Sequence, residues 1–153
     1  MRDGLRGVGV AMGNLKIEGL THWSIAVNDL EEAKAFYGDL LGLESVGPLG
    51  PNMWRFLTGD SSLLLYQRET PRDPADAEEM HHSFTVTPET WVEACKVFAA
   101  RALKIHALVY RAKGHFVGRE LYFGDPSGNR LEFRDATWQP GMPEPSYDEI
   151  VAS

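Results

Sequence analysis

The sequence is poor in cysteine and in basic residues, and it has no long apolar run. Its one cysteine, Cys95, excludes an internal disulfide and the paired-cysteine zinc motifs. The 22 acidic and 15 basic side chains give a net charge of −7, which disfavours a nucleic-acid partner. No segment approaches the roughly 20 apolar residues of a membrane span, and the first residues hold too much glycine and charge for a secretory signal. We therefore expect a cytoplasmic protein that binds neither nucleic acid nor membrane.

A short sequence pattern occurs twice, which indicates that the chain is built from two similar units. Residues 21–27 read THWSIAV and residues 80–86 read MHHSFTV, with histidine, serine and valine at matching positions. A helix start follows each copy, because Asp29 begins a capping-box variant and Thr87 precedes Pro88 at the first helical position. Each unit therefore begins with a strand that leads into a helix.

Hairpin-like segments follow each helix, so we expect one α+β domain made of two modules. Apolar stretches around turns at residues 59–60 and 125–128 predict further strands in each half. The expected boundaries are 17–70 and 80–135 for the modules, 71–79 for a linker, 1–16 for a flexible N-terminal extension and 136–153 for a C-terminal arm. We expect the arm to pack irregularly with Trp138 and Tyr147 as anchors, and disorder is the alternative.

Side-chain alternation along the predicted strands places three metal-ligating residues on the polar faces. The bulky residues of the first strand share one side, which leaves His22 on the other, and the second copy places His81 equivalently. In the last strand Leu131 and Phe133 are the apolar pair, so Glu132 points away from them. If the sheets curl together, the three side chains meet in one concave site. A lone strand histidine is usually structural and a lone glutamate usually solvated, but the repeated histidine favours a metal site.

Longer motifs carry a resemblance to a known superfamily. Residues 20–30 (LTHWSIAVNDL), 35–43 (AFYGDLLGL) and 122–132 (YFGDPSGNRLE) together resemble the vicinal oxygen chelate superfamily. That superfamily includes glyoxalase I, bleomycin- and fosfomycin-resistance proteins, methylmalonyl-CoA epimerase and extradiol dioxygenases. The resemblance covers about residues 17–135. It implies two βαβββ modules whose mixed sheets form a cupped, incomplete barrel, and a homodimer in which modules pair within one chain or between chains.

The resemblance also implies a divalent metal ion, Fe2+, Mn2+, Zn2+ or Ni2+, held by His22, His81 and Glu132, the residues that strand alternation selects independently. Glyoxalase I-like members place a fourth ligand on the last strand of the first module, where this chain reads LLLYQ over residues 63–67. Gln67 would ligate only after a register slip, so a three-ligand site is favoured. The implied function is an enzyme whose small-molecule substrate chelates the metal through vicinal oxygens. The alternative is a binding protein of the bleomycin-resistance type without catalysis.

One motif defines a dioxygenase hypothesis. The spacing of His115, Tyr122 and Glu132 is similar to the extradiol dioxygenase signature, except that Lys113 stands where a small or β-branched residue is usual. In those enzymes the matching histidine and tyrosine hydrogen-bond oxygen ligands and move protons, which makes these three residues the catalytic candidates. The alternative is that His115 is a loop residue and that Tyr122 fills the barrel. Isomerase, lyase and transferase chemistry remain open.

Two departures bear on the reaction class. Ring-cleaving relatives carry another histidine upstream of the second ligand, whereas none lies between His22 and His81, which leaves Tyr66 as the nearby proton-transfer candidate. Residues 113–119 lack the polar pattern of the fosfomycin-resistance transferases, which disfavours antibiotic inactivation. Further candidates for shaping the substrate cavity share the predicted polar faces: Ser24, Ser83, Thr85 and Arg134.

Overall fold

The computed structural model describes residues 15–76 and 79–153, and it contains the two expected modules. The predicted N-terminal extension therefore lies mostly outside the described residues, as do positions 77 and 78 of the predicted linker. The first module consists of β1 (His22–Val27), α1 (Leu30–Lys34) with a π-helical continuation (Ala35–Leu40), β2 (Glu44–Pro48), β3 (Met53–Thr58) and β4 (Ser61–Gln67). The second consists of β5 (His81–Thr85), α2 (Pro88–Ala100), β6 (Ile105–Arg111), β7 (Gly118–Gly124) and β8 (Arg130–Asp135), and α3 (Tyr147–Ala152) follows.

Each module contributes one four-stranded mixed sheet of the same topology. The strand orders are β1-β4-β3-β2 and β5-β8-β7-β6, so the first strand of each module lies at a sheet edge. That edge strand pairs in parallel with the last strand of its module, and the other pairs are antiparallel. The α+β prediction with two βαβββ modules is confirmed. The parallel pairs bring the repeated histidine segments beside β4 and β8.

The helices start where their capping residues predict, because each cap accepts a backbone hydrogen bond. Asp29 Oδ1 accepts from Glu32 N at 2.8 Å, and Thr87 Oγ1 accepts from Thr90 N at 3.1 Å. Their apolar faces cover one side of the two sheets and form a shared core that includes Tyr37, Trp91 and Phe98, together with Ile25, Phe56, Leu63, Leu121, Phe123 and Leu131. The opposite sheet faces carry the polar residues and remain exposed at the edge strands.

A buried hydrogen-bond cluster joins the two modules around Asp125 in the β7–β8 turn. Tyr37 donates from its hydroxyl to Asp125 Oδ2 at 2.7 Å, and Asn129 Nδ2 donates both to that carboxylate and to the Ala26 carbonyl. The backbone N–H of Asn28 donates to Ser127 Oγ at 2.8 Å. Because these bonds connect β1 and α1 to the second module, they fix how the modules sit against each other.

The C-terminal arm is more regular than expected. Trp138 and Tyr147 are anchors, as predicted: Trp138 is 2% exposed, and the Tyr147 hydroxyl donates to the Cys95 carbonyl. The arm ends in α3, however, whose start is a full capping box formed by Ser146 and Glu149. Its short length and the preceding prolines hide the helix from a periodicity argument. Among the described residues no helix is long and apolar enough to span a membrane.

Candidate metal site

The polar face of the second sheet brings His81 and Glu132 together. Their strands pair in parallel with Ser83 opposite Glu132, which places His81 one diagonal step away on the same face. His81 Nε2 lies 3.2 Å from Glu132 Oε2. The Glu132 side chain is 5% exposed, whereas that of His81 is 40% exposed.

These two side chains fit a divalent cation. His81 Nδ1 lies 3.4 Å from the Glu79 carbonyl oxygen, and Nε2 faces the Glu132 carboxylate. Either a proton on the ring or a cation between the two atoms satisfies that arrangement. Two ligand atoms about 2.0–2.2 Å from an ion lie roughly 3–3.5 Å apart, which matches the observed separation. In the described part of the chain His81 is also the sole polar partner of the buried carboxylate.

His22 lies elsewhere in the single chain. It is exposed on the polar face of the first sheet, in a cavity of about 1050 Å³ that it shares with Arg55 and Ser62. His81 lines a different cavity of about 670 Å³. Within residues 15–76 and 79–153, no group of three or more metal-ligating side chains assembles. One chain thus provides two of the three expected ligands at one place, and the three-ligand assignment stays a prediction.

Tyr122 lies beside the His81–Glu132 pair, but its hydroxyl is hydrogen-bonded to a different carboxylate. Its ring meets the His81 ring edge-on with centroids 5.6 Å apart, and its hydroxyl donates to Glu120 Oε2 at 2.9 Å. Arg111 Nη2 donates to the same oxygen at 2.8 Å. Burial and the Glu120 hydrogen bond raise the pKa of Tyr122 to about 12. Tyr122 therefore stays protonated at neutral pH and acts here as a hydrogen-bond donor.

Glu120 is a buried acid that the sequence analysis does not single out. Although burial acts to raise its pKa, hydrogen bonds from Arg111 and Tyr122 outweigh that effect and hold the pKa below its usual value. The alternation that places Tyr122 on the polar face of β7 would have placed Glu120 there as well, two residues earlier. That signal could have found Glu120, but not its partner Arg111, which depends on the β6–β7 register.

The remaining candidates lie apart from the His81–Glu132 pair. His115 is exposed in the turn between β6 and β7. The Gln67 side chain caps the start of α1, because its Oε1 accepts a hydrogen bond from Leu30 N at 2.9 Å. It is therefore not directed at the His81–Glu132 pair as a fourth ligand. Tyr66 is 40% exposed on β4, and Arg134 donates to the Val117 carbonyl at 2.6 Å. Ser24, Ser83 and Thr85 are exposed on the edge strands.

Two matching modules and a histidine–carboxylate pair on a polar sheet face define a class of protein. The chain belongs to the glyoxalase/bleomycin resistance protein/dioxygenase superfamily, whose family model matches residues 19–133. The fold and the family relationship predicted from the sequence motifs are therefore confirmed.

Similar proteins include two transferases and a solved structure. Metallothiol transferase FosB from Lysinibacillus sphaericus is 23% identical over 125 residues, covering 82% of this chain and 87% of that protein. Glutathione transferase FosA from Serratia marcescens is 28% identical over 119 residues, covering 76% and 79%. The crystal structure of a glyoxalase/dioxygenase from Nostoc punctiforme matches with a TM-score of 0.65 and 26% identity, over 82% of this chain and 94% of that chain.

Proposed function

We propose that this chain is a metal-dependent enzyme that acts on a small molecule with two neighbouring oxygens. The observation that carries the proposal is the 3.2 Å approach of His81 Nε2 to Glu132 Oε2 on an open sheet face. A bound divalent ion would supply Lewis acidity to two neighbouring oxygens of the substrate. Glu132, held on a central part of the sheet, is the proposed ligand and the candidate acceptor for a substrate proton.

We further propose that His22 reaches the site from a second copy of the chain. His22 and His81 occupy equivalent positions on the edge strands β1 and β5, yet line separate cavities in one chain. The segment before β1 also exposes three large apolar side chains, with Leu15 at 93%, Ile17 at 89% and Leu20 at 66%. Large exposed apolar patches mark interaction surfaces. A homodimer that covers this segment and joins the two polar faces would complete the ligand set.

Residues next to the His81–Glu132 pair position its side chains but are not themselves proposed ligands. Tyr122 packs against the His81 ring, and Glu120 and Arg111 hold Tyr122 from the other side. These charge-assisted hydrogen bonds hold the Tyr122 side chain, and the Tyr122 ring in turn packs against His81. In this proposal Tyr122 is a positioning residue whose proton stays on its own oxygen.

Metal content tests the ligand assignment. Elemental analysis of protein purified without chelator should give one divalent ion per chain for the wild type and a large loss in His81→Ala and Glu132→Gln. His115→Ala is the matched control, because it removes an exposed histidine from the same module and should retain the metal. Full occupancy in both ligand variants would refute the site. A wild type that binds no divalent metal would leave the small-molecule binding protein as the better description.

Mixed dimers test the contribution of the second copy. If His22 acts across the interface, co-expressed His22→Ala and Glu132→Gln chains form heterodimers with one intact site and one site that lacks both ligands. Each variant alone has none. If His22→Ala alone has lost its metal, recovery of about half the metal in tagged, purified heterodimers supports the exchange, and no recovery indicates that His22 acts within its own chain. Full metal content in His22→Ala alone would refute His22 as a ligand.

Group transfer, isomerisation and elimination all fit a site of this kind, and the names of the two curated relatives favour group transfer. Consumption of glutathione with a panel of small electrophiles that carry neighbouring oxygens, by the metal-loaded protein, would identify that class. Control reactions with Glu132→Gln should lack the activity.

Extradiol dioxygenase chemistry is the second candidate, because Tyr122 contacts the ring of His81. The exposed position of His115 and the Tyr122–Glu120 hydrogen bond weaken it. Anaerobic loading with Fe2+, followed by catechols and O2, should give a yellow ring-fission product. Absence of both product and oxygen uptake with bound Fe2+ would eliminate this candidate.

A further inference from the structure

Among the described residues, Arg130 is the arginine of the second sheet whose side chain donates to no acceptor of the protein. Arg111 donates to Glu120, Arg119 donates to Asp135, and Arg134 donates to the Val117 carbonyl. Arg130 forms no hydrogen bond or ion pair through its side chain within the described ranges, and its Nε is buried without a partner. A buried donor without an acceptor is costly, so the Nε of Arg130 points to an acceptor that the described residues do not supply.

Arg130 lies directly beside the proposed metal ligands. It is opposite His81 in the β5–β8 register and two residues before Glu132, so all three side chains share one face. Its guanidinium carbon lies 4.7 Å above the Tyr122 ring. That stacking holds the planar group in place while leaving the donors along its edge free for a ligand.

A second cation acts close to Arg130. Lys104 and Arg130 both act on His106, whose pKa is lowered by burial first and then by these two cations. His106 also lies close to Gly124, the residue that pairs with Arg130 across the β7–β8 hairpin. Lys104 and Arg130 are thus both close to His106, and Glu132 is the carboxylate on the His81 side of Arg130. An arginine with a second cation nearby favours an anionic ligand.

We propose that Arg130 binds an acidic group of the substrate. The site therefore selects short anions that carry a carboxylate or phosphate-type group for Arg130 and, within a few atoms of it, a further oxygen for the metal. The location of the substrate rests on the metal site proposed above. A guanidinium presents two parallel donors that match the oxygens of either anion. Adjacent strands lie about 4.8 Å apart, so one small molecule spans the distance from Arg130 to the His81–Glu132 pair.

Calorimetric titration of the purified full chain with inorganic phosphate and with succinate, at constant ionic strength, tests the proposal. Arg130→Gln should weaken binding of the preferred anion roughly 10- to 100-fold, since it removes a charge-assisted pair of hydrogen bonds. Arg130→Lys keeps the charge but lacks the fork, so an intermediate loss is expected. Arg101→Gln, at the exposed end of α2, is the charge-matched control and should bind as the wild type does. Equal affinity in wild type and Arg130→Gln would overturn the proposal.

A second variant separates this inference from the metal site. Glu132→Gln should lose metal yet keep or strengthen phosphate binding, because it removes a negative charge near Arg130. Anion binding that is lost in Glu132→Gln but kept in Arg130→Gln would place the anion on the metal alone and refute the role of Arg130. Anion binding that depends on Arg130 in a protein without metal would support the anion site while refuting the proposed function. Thermal melts of each variant, with Arg130→Lys as the milder change, show whether a loss reflects unfolding.

Discussion

Replacement of Asp125 by alanine should destabilise the whole fold, because this residue is the centre of the contact between the modules. Asp125 is 6% exposed and its carboxylate accepts four hydrogen bonds. They come from the Tyr37 hydroxyl at 2.7 Å, Ser127 N at 2.9 Å, Asn129 N at 2.9 Å and Asn129 Nδ2 at 2.8 Å. Three of the bonds shape the β7–β8 turn and one ties the helical segment of the first module to it.

The magnitude follows from the fate of these donors. Asn129 Nδ2 keeps its second acceptor, the Ala26 carbonyl, whereas the Tyr37 hydroxyl and the two backbone N–H groups are left without one. A hydrogen bond to a charged group contributes about 1.5–3 kcal/mol, and water entering the vacated space offsets part of the loss. We therefore expect a loss of about 3–5 kcal/mol in the free energy of unfolding. For a chain of this length that lowers Tm by roughly 6–20 °C.

A double-mutant cycle in urea isolates the bond between the modules. Tyr37→Phe alone should cost about 1–2 kcal/mol, because it removes one donor from Asp125. In the Asp125→Ala background the same change should be neutral or stabilising, since it removes a buried hydroxyl that has lost its acceptor. Additive effects of the two substitutions, or an Asp125→Ala loss below about 1 kcal/mol, would refute the reasoning.

Three further outcomes follow from single residues. Burial and the Asp125 carboxylate raise the pKa of Tyr37 well above 10.0, so the stability that the Tyr37 hydroxyl contributes is complete below pH 10 and is lost as the pH rises further. In urea melts at pH 8 and pH 11, the difference in free energy of unfolding between wild type and Tyr37→Phe should therefore be smaller at pH 11. Gly128→Ala should lower the free energy of unfolding by about 2–4 kcal/mol, because φ is +81° and the added Cβ would lie 2.5 Å from the Pro74 carbonyl oxygen. Gly50→Ala is the control, since φ is +72° but the space is open, and it should cost about 1–2 kcal/mol. Equal losses of stability in the two variants would contradict the clash. Burial raises the pKa of Cys95 to about 11, so thiol reagents at pH 8 should label it only after denaturant is added, and rapid labelling of native protein would contradict its burial.

The features that could be predicted from the sequence are those decided by neighbouring residues. Asp29 and Thr87 cap their helices because capping depends on the next three positions. Alternation also places His81 and Glu132 on a common polar face, since the period of a strand is fixed by backbone geometry. Repetition of the pattern then identified the two modules without any knowledge of their packing.

The features that could not be predicted depend on register and on contacts distant in sequence. The pairing of Arg111 with Glu120 requires the β6–β7 register, which includes an irregularity between Ile105 and Ala107. In the sequence Arg130 looks like a solvated strand arginine, whereas in the structure its Nε is buried without a hydrogen-bond partner among the described residues. Likewise, nothing local to Gln67 indicates that its side chain caps α1 across the module.

The separation of His22 from His81 ties metal binding to assembly in the proposed enzyme. The two histidines lie on equivalent strands but in different cavities, so a ligand set that needs both forms only where two polar faces meet. By linkage, a metal that binds the dimer better than the monomer stabilises the dimer, and dilution of the protein weakens the metal affinity by the same free energy. Sedimentation across a range of protein concentrations, with and without the metal, should therefore show a tighter dimer when metal is present. His22→Ala should abolish that difference while leaving the metal-free dimer unchanged, whereas a site contained in one chain gives a metal affinity that is independent of protein concentration.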